Sequence, residues 1–193
     1  MARPCSFNPE EKLDEAMQLF WRQGYEATSI RDLEEHLCLN RFSIYNCFGD
    51  KEALYHLALK RYRSLSSQFW EQLINYQEGP VAALKRLLQW FMERIEQYPQ
   101  GCLIQNALLE RSGTDKVVQS MCKAQFETLE QVIVHQFHSM GWSVNQSRAR
   151  AAFMVSQLQG LRLLGKANLT EMVALSLKQL DDWLEQQRVK TAS

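Results

Sequence analysis

Three residues that favour helix N-termini divide the N-terminal part of this chain into short helices. Ser29 (with the adjacent Thr28 as the alternative), Asn40 and Asp50 each precede a stretch whose apolar residues recur at helical spacing. Cys38 falls where the first of these stretches ends, and the third begins at Lys51. The sequence therefore predicts two short helices joined by a tight turn and followed by a longer helix, which is the arrangement of a helix-turn-helix.

Helical periodicity also describes the rest of the chain. Alternating β-branched runs are scarce, and the four prolines and eight glycines lie mostly where the apolar periodicity breaks. The pattern predicts an all-α fold with a first helix from Pro9 to about Gln23 and a long fourth helix from Lys51 to about Asn75. Five further helices are expected at 81–98, 103–111, 115–140, 146–166 and 169–187.

Composition limits the class of protein without naming its partner. Hydrophobic residues make up 46% of the chain and charged residues 23%, as in ordinary globular proteins. We expect a cytoplasmic protein, because no long apolar segment or signal peptide is evident and the five cysteines form no C-x-x-C pair. The 22 basic residues balance the 22 acidic ones, so a DNA-binding surface would depend on where charges lie rather than on their total.

The second short helix carries the candidate chemistry. If Ile44 and Phe48 face the core, helical spacing leaves the other side chains outward. Arginine can bind guanine or phosphate, asparagine can read adenine, and tyrosine can donate to a phosphate. Lys51 adds a cation near the start of the next helix, whereas Asn40 is better explained as a cap than as a base reader. The outward side chains are Arg41, Phe42, Ser43, Tyr45 and Asn46.

The segment TSIRDLEEHLCLNRFSIYNCFGDKEALY resembles the DNA-binding segment of the TetR family of transcriptional regulators. The resemblance rests on Thr28, Ser29, Leu33, Leu39, Asn40, Ser43, Ile44, Tyr45, Phe48, Asp50, Lys51, Glu52 and Leu54. Three positions depart from the usual pattern: Cys38 replaces a turn glycine, Glu34 replaces a small alanine, and Phe42 replaces a small residue. Phe42 either contacts a thymine methyl or tilts the helix, and Cys38 implies a strained or reshaped turn.

The resemblance implies a ligand-responsive repressor that binds a palindromic operator as a homodimer. It divides the chain into a helix-turn-helix DNA-binding domain at residues 1–50 and an effector-binding and dimerisation domain at residues 51–193. It adds Arg31 to the DNA-binding residues, and it implies double-stranded operator DNA as the partner. The complete expected DNA-binding set is Ser29, Arg31, Asn40, Arg41, Phe42, Ser43, Tyr45, Asn46 and Lys51.

Two further sets of residues are expected in the C-terminal domain. Aromatic and aliphatic side chains would line a pocket for a small hydrophobic effector, with plain core packing as the alternative. Cys102 either senses electrophiles or oxidants or is simply buried. The family pairs its last two long helices between subunits, whereas an intrachain core is the alternative. The expected effector set is Trp90, Phe91, Cys102, Leu103, Phe126 and Phe137, and the expected dimer set is Phe153, Gly160, Leu161, Leu177, Leu180, Trp183 and Leu184.

Two alternative functions make different demands on the sequence. An enzyme or helical small-molecule carrier would need a nucleophile with a base, a metal-ligand cluster or a phosphate-binding loop, and the sequence offers none of these. His135 and His138 lie three residues apart without further ligands, so no metal or cofactor is expected. A protein-interaction adaptor that keeps the helix-turn-helix only structurally would instead present a large apolar patch outside the dimer surface.

Overall fold

The computed structural model describes residues 7–189, and this part of the chain is helical with no β-strand. The predicted all-α fold with an N-terminal helix-turn-helix is therefore confirmed. The helices are α1 (Pro9–Gln23), α2 (Ile30–Leu37), α3 (Arg41–Phe48), α4 (Lys51–Ser64), α5 (Ser67–Ile74), α6 (Pro80–Gln97), α7 (Leu103–Arg111), α8 (Lys116–Ser139), α9 (Val144–Lys166) and α10 (Thr170–Val189).

One helix differs from the prediction. The helix expected from Lys51 to Asn75 is interrupted after Ser64, and α5 begins at Ser67. The hydroxyl of Ser64 donates to the carbonyl of Arg61 at 2.7 Å, and that of Ser66 donates to the carbonyl of Arg63 at 3.1 Å. Serine side chains that bond nearby carbonyls compete with the helical hydrogen bonds, which accounts for the break.

The helices group into two compact units. The first contains the chain up to Ser66 together with Cys102–Lys123, and the second contains Ser67–Gly101 and the chain from Ala124 onward. The first unit thus groups α4, α7 and the start of α8 with the helix-turn-helix. A DNA-binding domain at residues 1–50 stays a prediction.

The first unit is built on α1, which packs against both α2 and α4. Phe20 and Tyr55 are almost fully buried, and their rings meet edge to face with centroids 5.0 Å apart. Arg61 and Asp14 add a bidentate pair between α4 and α1, with N–O distances of 2.7 and 2.9 Å. Buried aromatic packing of this kind fixes α1 and α4 as a support for the two shorter helices.

The second unit has its core among α6, α8, α9 and α10, with α5 packed on α6. Leu84, Phe91, Met154 and Leu184 are at most 1% exposed, and they belong to one continuous apolar cluster. Burying side chains of this size contributes about 1.5–3 kcal/mol each to the hydrophobic free energy of folding. Between residues 7 and 189, none of the helices has both the length and the apolar character needed to cross a bilayer.

Candidate nucleic-acid interface

The α2–turn–α3 segment is fixed at both of its helix starts. The Ser29 hydroxyl accepts from the Asp32 amide at 3.1 Å, and the Asp32 carboxylate accepts from the Ser29 amide at 2.7 Å, which completes a capping box. Asn40 Oδ1 accepts from the Ser43 amide at 2.8 Å and caps α3 through this single bond. Ser29 and Asn40 are thus exposed caps whose side-chain oxygens are already used, as the sequence indicated for Asn40.

The turn between α2 and α3 contains a residue in the left-handed backbone conformation, at the position where the sequence predicts a strained or reshaped turn. Cys38 has φ 53° and ψ 40°, and its amide donates to the carbonyl of Glu34. Glu34, unusual for its position, has a defined role: its carboxylate accepts from the Arg41 amide at 2.6 Å. Because a carboxylate at a helix N-terminus satisfies an otherwise unpaired amide, Glu34 compensates for part of the unusual turn.

The α3 helix is anchored on one face and free on the other. Ile44 is fully buried and Phe48 is 7% exposed, so the helix is held by these two side chains. Phe42 is 76% exposed, Tyr45 is 38% exposed, and Asn46 is exposed. The helix therefore presents polar and aromatic groups to solvent on the face opposite its anchors.

Arg41 and Tyr45 form a pair on this exposed face. The Arg41 guanidinium donates from Nε and Nη2 to the Tyr45 hydroxyl oxygen at 3.1 and 3.0 Å, and it lies 5.2 Å from the Tyr45 ring centroid. The Tyr45 hydroxyl hydrogen is left pointing away from the guanidinium, since its oxygen accepts these bonds. The pair can accordingly present both a cation and an O–H donor to a phosphate.

Arg31 and Lys51 lie in different surroundings. Arg31 is highly exposed and pairs with Glu35 at 2.9 Å, and the hydrogen bond and charge of Glu35 raise the pKa of Arg31. The Lys51 ammonium is not a free surface cation. It donates to the carbonyls of Tyr25 at 2.8 Å and Thr28 at 2.7 Å, so it ties the start of α4 to the segment that precedes α2.

Two residues that the sequence analysis missed hold this segment from α7. The Glu110 carboxylate accepts from the amides of Tyr25 at 3.0 Å and Glu26 at 2.9 Å. The Arg111 guanidinium bonds Glu26 at 2.8 Å and Glu52 at 3.1 Å, and it lies 4.2 Å from the centroid of the Tyr25 ring. Nothing in the local sequence signals these contacts, because they join residues far apart along the chain.

The same network extends to α8 through Asp115. His56 Nε2 lies 2.7 Å from Asp115 Oδ2, while Asp115 Oδ1 accepts from the amides of Val117 and Val118. Burial would raise the pKa of Asp115, but the His56 and amide hydrogen bonds outweigh it and hold that pKa below its usual value.

Glu52, His56 and Asp115 lie close enough for one ligand atom from each to meet a metal ion. The Arg111 guanidinium already lies among them, 3.1 Å from Glu52 and 3.7 Å from Asp115. Because a bound metal ion would have to displace this cation, the donor set fits an ion-pair network better than a metal centre.

The residues expected to bind an effector are divided between the two units. Cys102 and Leu103, 5% and 1% exposed, begin α7 in the first unit. In the second unit Phe91 and Phe137 are fully buried, and Trp90 and Phe126 are partly buried. Trp90 stacks on Phe69 with a centroid distance of 4.8 Å. Each of these side chains is therefore mainly or partly engaged in packing.

The expected dimer set is also divided. Leu161, Leu180 and Leu184 are at most 4% exposed and face the core of the second unit, so they support the outer surface without forming it. Phe153 is 44% exposed and its ring lies 5.0 Å from that of Trp183. Gly160 is exposed, and Leu177 and Trp183 are half-buried.

Comparisons with known proteins agree with this architecture. Residues 13–58 match the family "Bacterial regulatory proteins, tetR family", and residues 80–173 match "Transcriptional regulator LmrA/YxaF-like, C-terminal domain". An uncharacterized HTH-type transcriptional regulator in the lacX 3' region of Lactococcus lactis subsp. lactis is 27% identical over 164 residues, or 82% of this chain and 84% of that protein.

Two further relatives concern the helix-turn-helix and the fold. The HTH-type transcriptional repressor ComR of Escherichia coli (strain K12) is 45% identical over 60 residues, covering 31% of this chain and 29% of that protein. A cysteine mutant of the TetR family transcriptional regulator CifR, complexed with 26 bp double-strand operator DNA, has the same fold with a TM-score of 0.75 and 23% identity, covering 91% of this chain and 98% of that one. Together, the two family matches, these relatives and the exposed α3 show that the chain belongs to the TetR family of DNA-binding transcriptional regulators.

Proposed function

We propose that this protein is a ligand-responsive repressor that binds a roughly palindromic operator as a homodimer. The observation that carries the proposal is the exposed face of α3, which projects Arg41, Phe42, Tyr45 and Asn46 while Ile44 and Phe48 are buried. A helix held in this way can enter the major groove with its outward side chains against base edges and phosphates. Membership of the TetR family supports the same reading.

The proposed DNA contacts fall into two groups. Arg31, Arg41 and Tyr45 supply cations and a hydroxyl donor for phosphates, and these contacts position the protein without reading sequence. Phe42 and Asn46 face base edges. Ser29, Asn40 and Ser43 set the helix starts and add polar groups at the protein–DNA boundary, and Lys51 acts by holding α4 to the segment before α2.

A homodimer is proposed from the outer surface of α9 and α10. A groove of about 480 Å³ runs along these helices and includes Phe153, Leu175, Gln179 and Trp183. Leu175 is 60% exposed and Phe153 is 44% exposed, although both are large apolar side chains. Two copies related by a twofold axis would cover this surface with the same surface of the partner, and each copy would supply one α3 helix to the operator.

Effector binding is proposed for apolar residues of the second unit, namely Trp90, Phe91, Phe126 and Phe137. Cys102 and Leu103 belong to the same predicted set but lie in the first unit. A small hydrophobic compound would release the operator only if it bound the DNA-incompetent conformation more tightly. Equal affinity for both conformations shifts nothing. Titrating the protein–operator complex with small aromatic and aliphatic compounds tests the proposed effector binding. A compound that acts as an effector must bind saturably and release the operator DNA as it binds.

DNA binding is tested by fluorescence anisotropy with duplexes from the region flanking the protein's own gene, at several salt concentrations. We expect Arg41→Ala to weaken binding by about 10- to 100-fold on all duplexes alike and to reduce the salt dependence by about two phosphate contacts, one from each protomer. Lys116→Ala is the matched control, because Lys116 is exposed and removing it changes the net charge equally. Equal loss in both variants, or no selective binding to these or to randomly selected duplexes, would contradict the proposal.

The homodimer is tested separately by sedimentation. Phe153→Glu should give a monomer, because it places a charge in the proposed apolar interface. Leu109→Glu is the control, since Leu109 is 75% exposed on α7 and outside the groove. A monomeric wild-type protein, or a dimeric Phe153→Glu variant, would remove this part of the proposal.

A further inference from the structure

Phe42 contributes an apolar surface that the fold itself does not use. It is the second residue of α3 and is 76% exposed, whereas the apolar anchors of the same helix are buried. Within residues 7–189 its ring contacts no other aromatic ring or cation. A single exposed aromatic side chain is ordinary on a protein surface. Phe42 is of interest because it lies near the start of α3, and the N-terminal residues of a recognition helix are the ones that contact base edges.

The exposed face of α3 has two ridges of side chains. Arg41 and Tyr45 lie four residues apart on one ridge, and their hydrogen bonds hold them to each other. Phe42 and Asn46 lie four residues apart on the neighbouring ridge, and both are exposed. Arg41 and Tyr45 are hydrogen-bonded to each other on the first ridge. The side chains of the second ridge, Phe42 and Asn46, are therefore the ones that remain free to contact base edges.

The chemistry of the major groove selects a target for each of these side chains. The thymine C5-methyl is the apolar group that the four bases present there, whereas the other groups are hydrogen-bond donors and acceptors. A phenyl ring has neither a donor nor a charge for a phosphate, so it gains most against a methyl. An asparagine amide can bond adenine N6 and N7 together.

Helix geometry fixes the spacing. Four residues of α-helix rise about 6 Å, and successive base pairs lie about 3.4 Å apart, so the two side chains reach positions about two steps apart. We propose that Phe42 reads a thymine methyl and that Asn46 reads an adenine within about two base pairs of it in each operator half-site. This inference rests on the proposed DNA-binding function and assigns base preferences to it.

The experiment uses the full-length protein and a duplex selected from a random-sequence pool. Each thymine of the selected duplex is replaced in turn by deoxyuridine, which lacks only the C5-methyl. We expect one thymine in each half-site whose replacement weakens binding about fourfold, and about 15-fold when both half-sites are changed. Replacement at the other thymines should have little effect.

Variants connect this loss to Phe42. Phe42→Ala should bind the selected duplex more weakly and lose its sensitivity to deoxyuridine, while Asn46→Ala should keep that sensitivity and lose discrimination at the adenine. Leu109→Ala is the matched control, since it removes a similarly exposed apolar side chain from α7. Circular dichroism should give the same helix content for all three variants, because none of these residues is buried.

The outcomes separate this inference from the proposed function. Selective binding without a deoxyuridine-sensitive thymine, or equal sensitivity in wild type and Phe42→Ala, overturns the methyl contact and leaves the regulator intact. Failure of the selection to enrich any sequence overturns the proposed function, and the base assignment with it. A sensitive thymine that becomes insensitive only in Phe42→Ala supports the inference.

Discussion

Replacing Glu110 should weaken the attachment of the segment before α2. This residue lies on α7, and its carboxylate accepts two hydrogen bonds from the amides of Tyr25 and Glu26, at 3.0 and 2.9 Å. It also lies against Gly24, where an added Cβ would meet Glu110 Oε1 at 2.9 Å. Glu110 thus holds the chain at the point where α1 has ended and α2 has not begun.

The size of the effect follows from the two bonds and their exposure. A hydrogen bond to a charged group contributes about 1.5–3 kcal/mol when it is buried, but these bonds are exposed, so about 1 kcal/mol each is appropriate. Glu110→Ala removes both and should lower the free energy of unfolding by about 2 kcal/mol. Glu110→Gln keeps one acceptor oxygen and should lose about 1 kcal/mol.

Thermal unfolding followed by circular dichroism at a fixed protein concentration measures the series. For a chain of this length 1 kcal/mol corresponds to about 2–4 °C, so we expect a decrease of about 4–8 °C for alanine and half of that for glutamine. Glu78→Gln is the control, because Glu78 is an exposed acid outside α7. A shift below about 1 °C in Glu110→Ala, or equal shifts in Glu110→Gln and Glu78→Gln, would refute the reasoning.

Three further changes have defined outcomes. Gly165→Ala should lower the free energy of unfolding by about 1–3 kcal/mol in urea titrations, because the new Cβ would collide with Ile95; Gly113→Ala, which meets no atom within 4 Å, should not. The lowered pKa of Asp115 stabilises the fold above about pH 4, and this contribution is lost as the pH falls through the lowered value, so Asp115→Asn should unfold at a lower temperature than wild type at about pH 6 and should approach it at about pH 3. Cys38→Gly should raise the midpoint of thermal unfolding by about 1–2 °C, since relief of the left-handed conformation slightly exceeds the added entropy of the unfolded chain; a decrease would mean that the turn is unstrained.

Local signals were sufficient for the first three helices. Ser29, Asn40 and Gly49 mark helix ends through their own side chains or backbone freedom, and the structure has α2 and α3 between them. The break between α4 and α5 was missed although Ser64 and Ser66 are visible in the sequence. Serine hydroxyls can be satisfied by solvent within a continuous helix, so their bonds to nearby carbonyls become evident only in the folded chain.

Contacts between distant parts of the chain were beyond the sequence patterns. Nothing near Glu110 or Arg111 distinguishes them from ordinary solvated charges of a helix end, and their partners lie far away in the N-terminal helices. The sequence also did not distinguish the apolar residues of α10 that face the core from those that face outward. Leu180 and Leu184 have the same apolar character as an interface residue, and only packing shows that they face the core of their own chain.

The left-handed turn residue also has a chemical consequence. Cys38 brings an exposed thiol to the turn before α3, whereas Cys102 and Cys122 are buried and burial raises the pKa of Cys122 to about 11. Since alkylation needs an accessible thiolate, a maleimide fluorophore should attach to Cys38 in preference to those two. With Cys5 and the half-buried Cys47 replaced by serine, Cys38 becomes the labelling position of the helix-turn-helix. The separation of two α3 helices can then be measured by energy transfer within the proposed dimer.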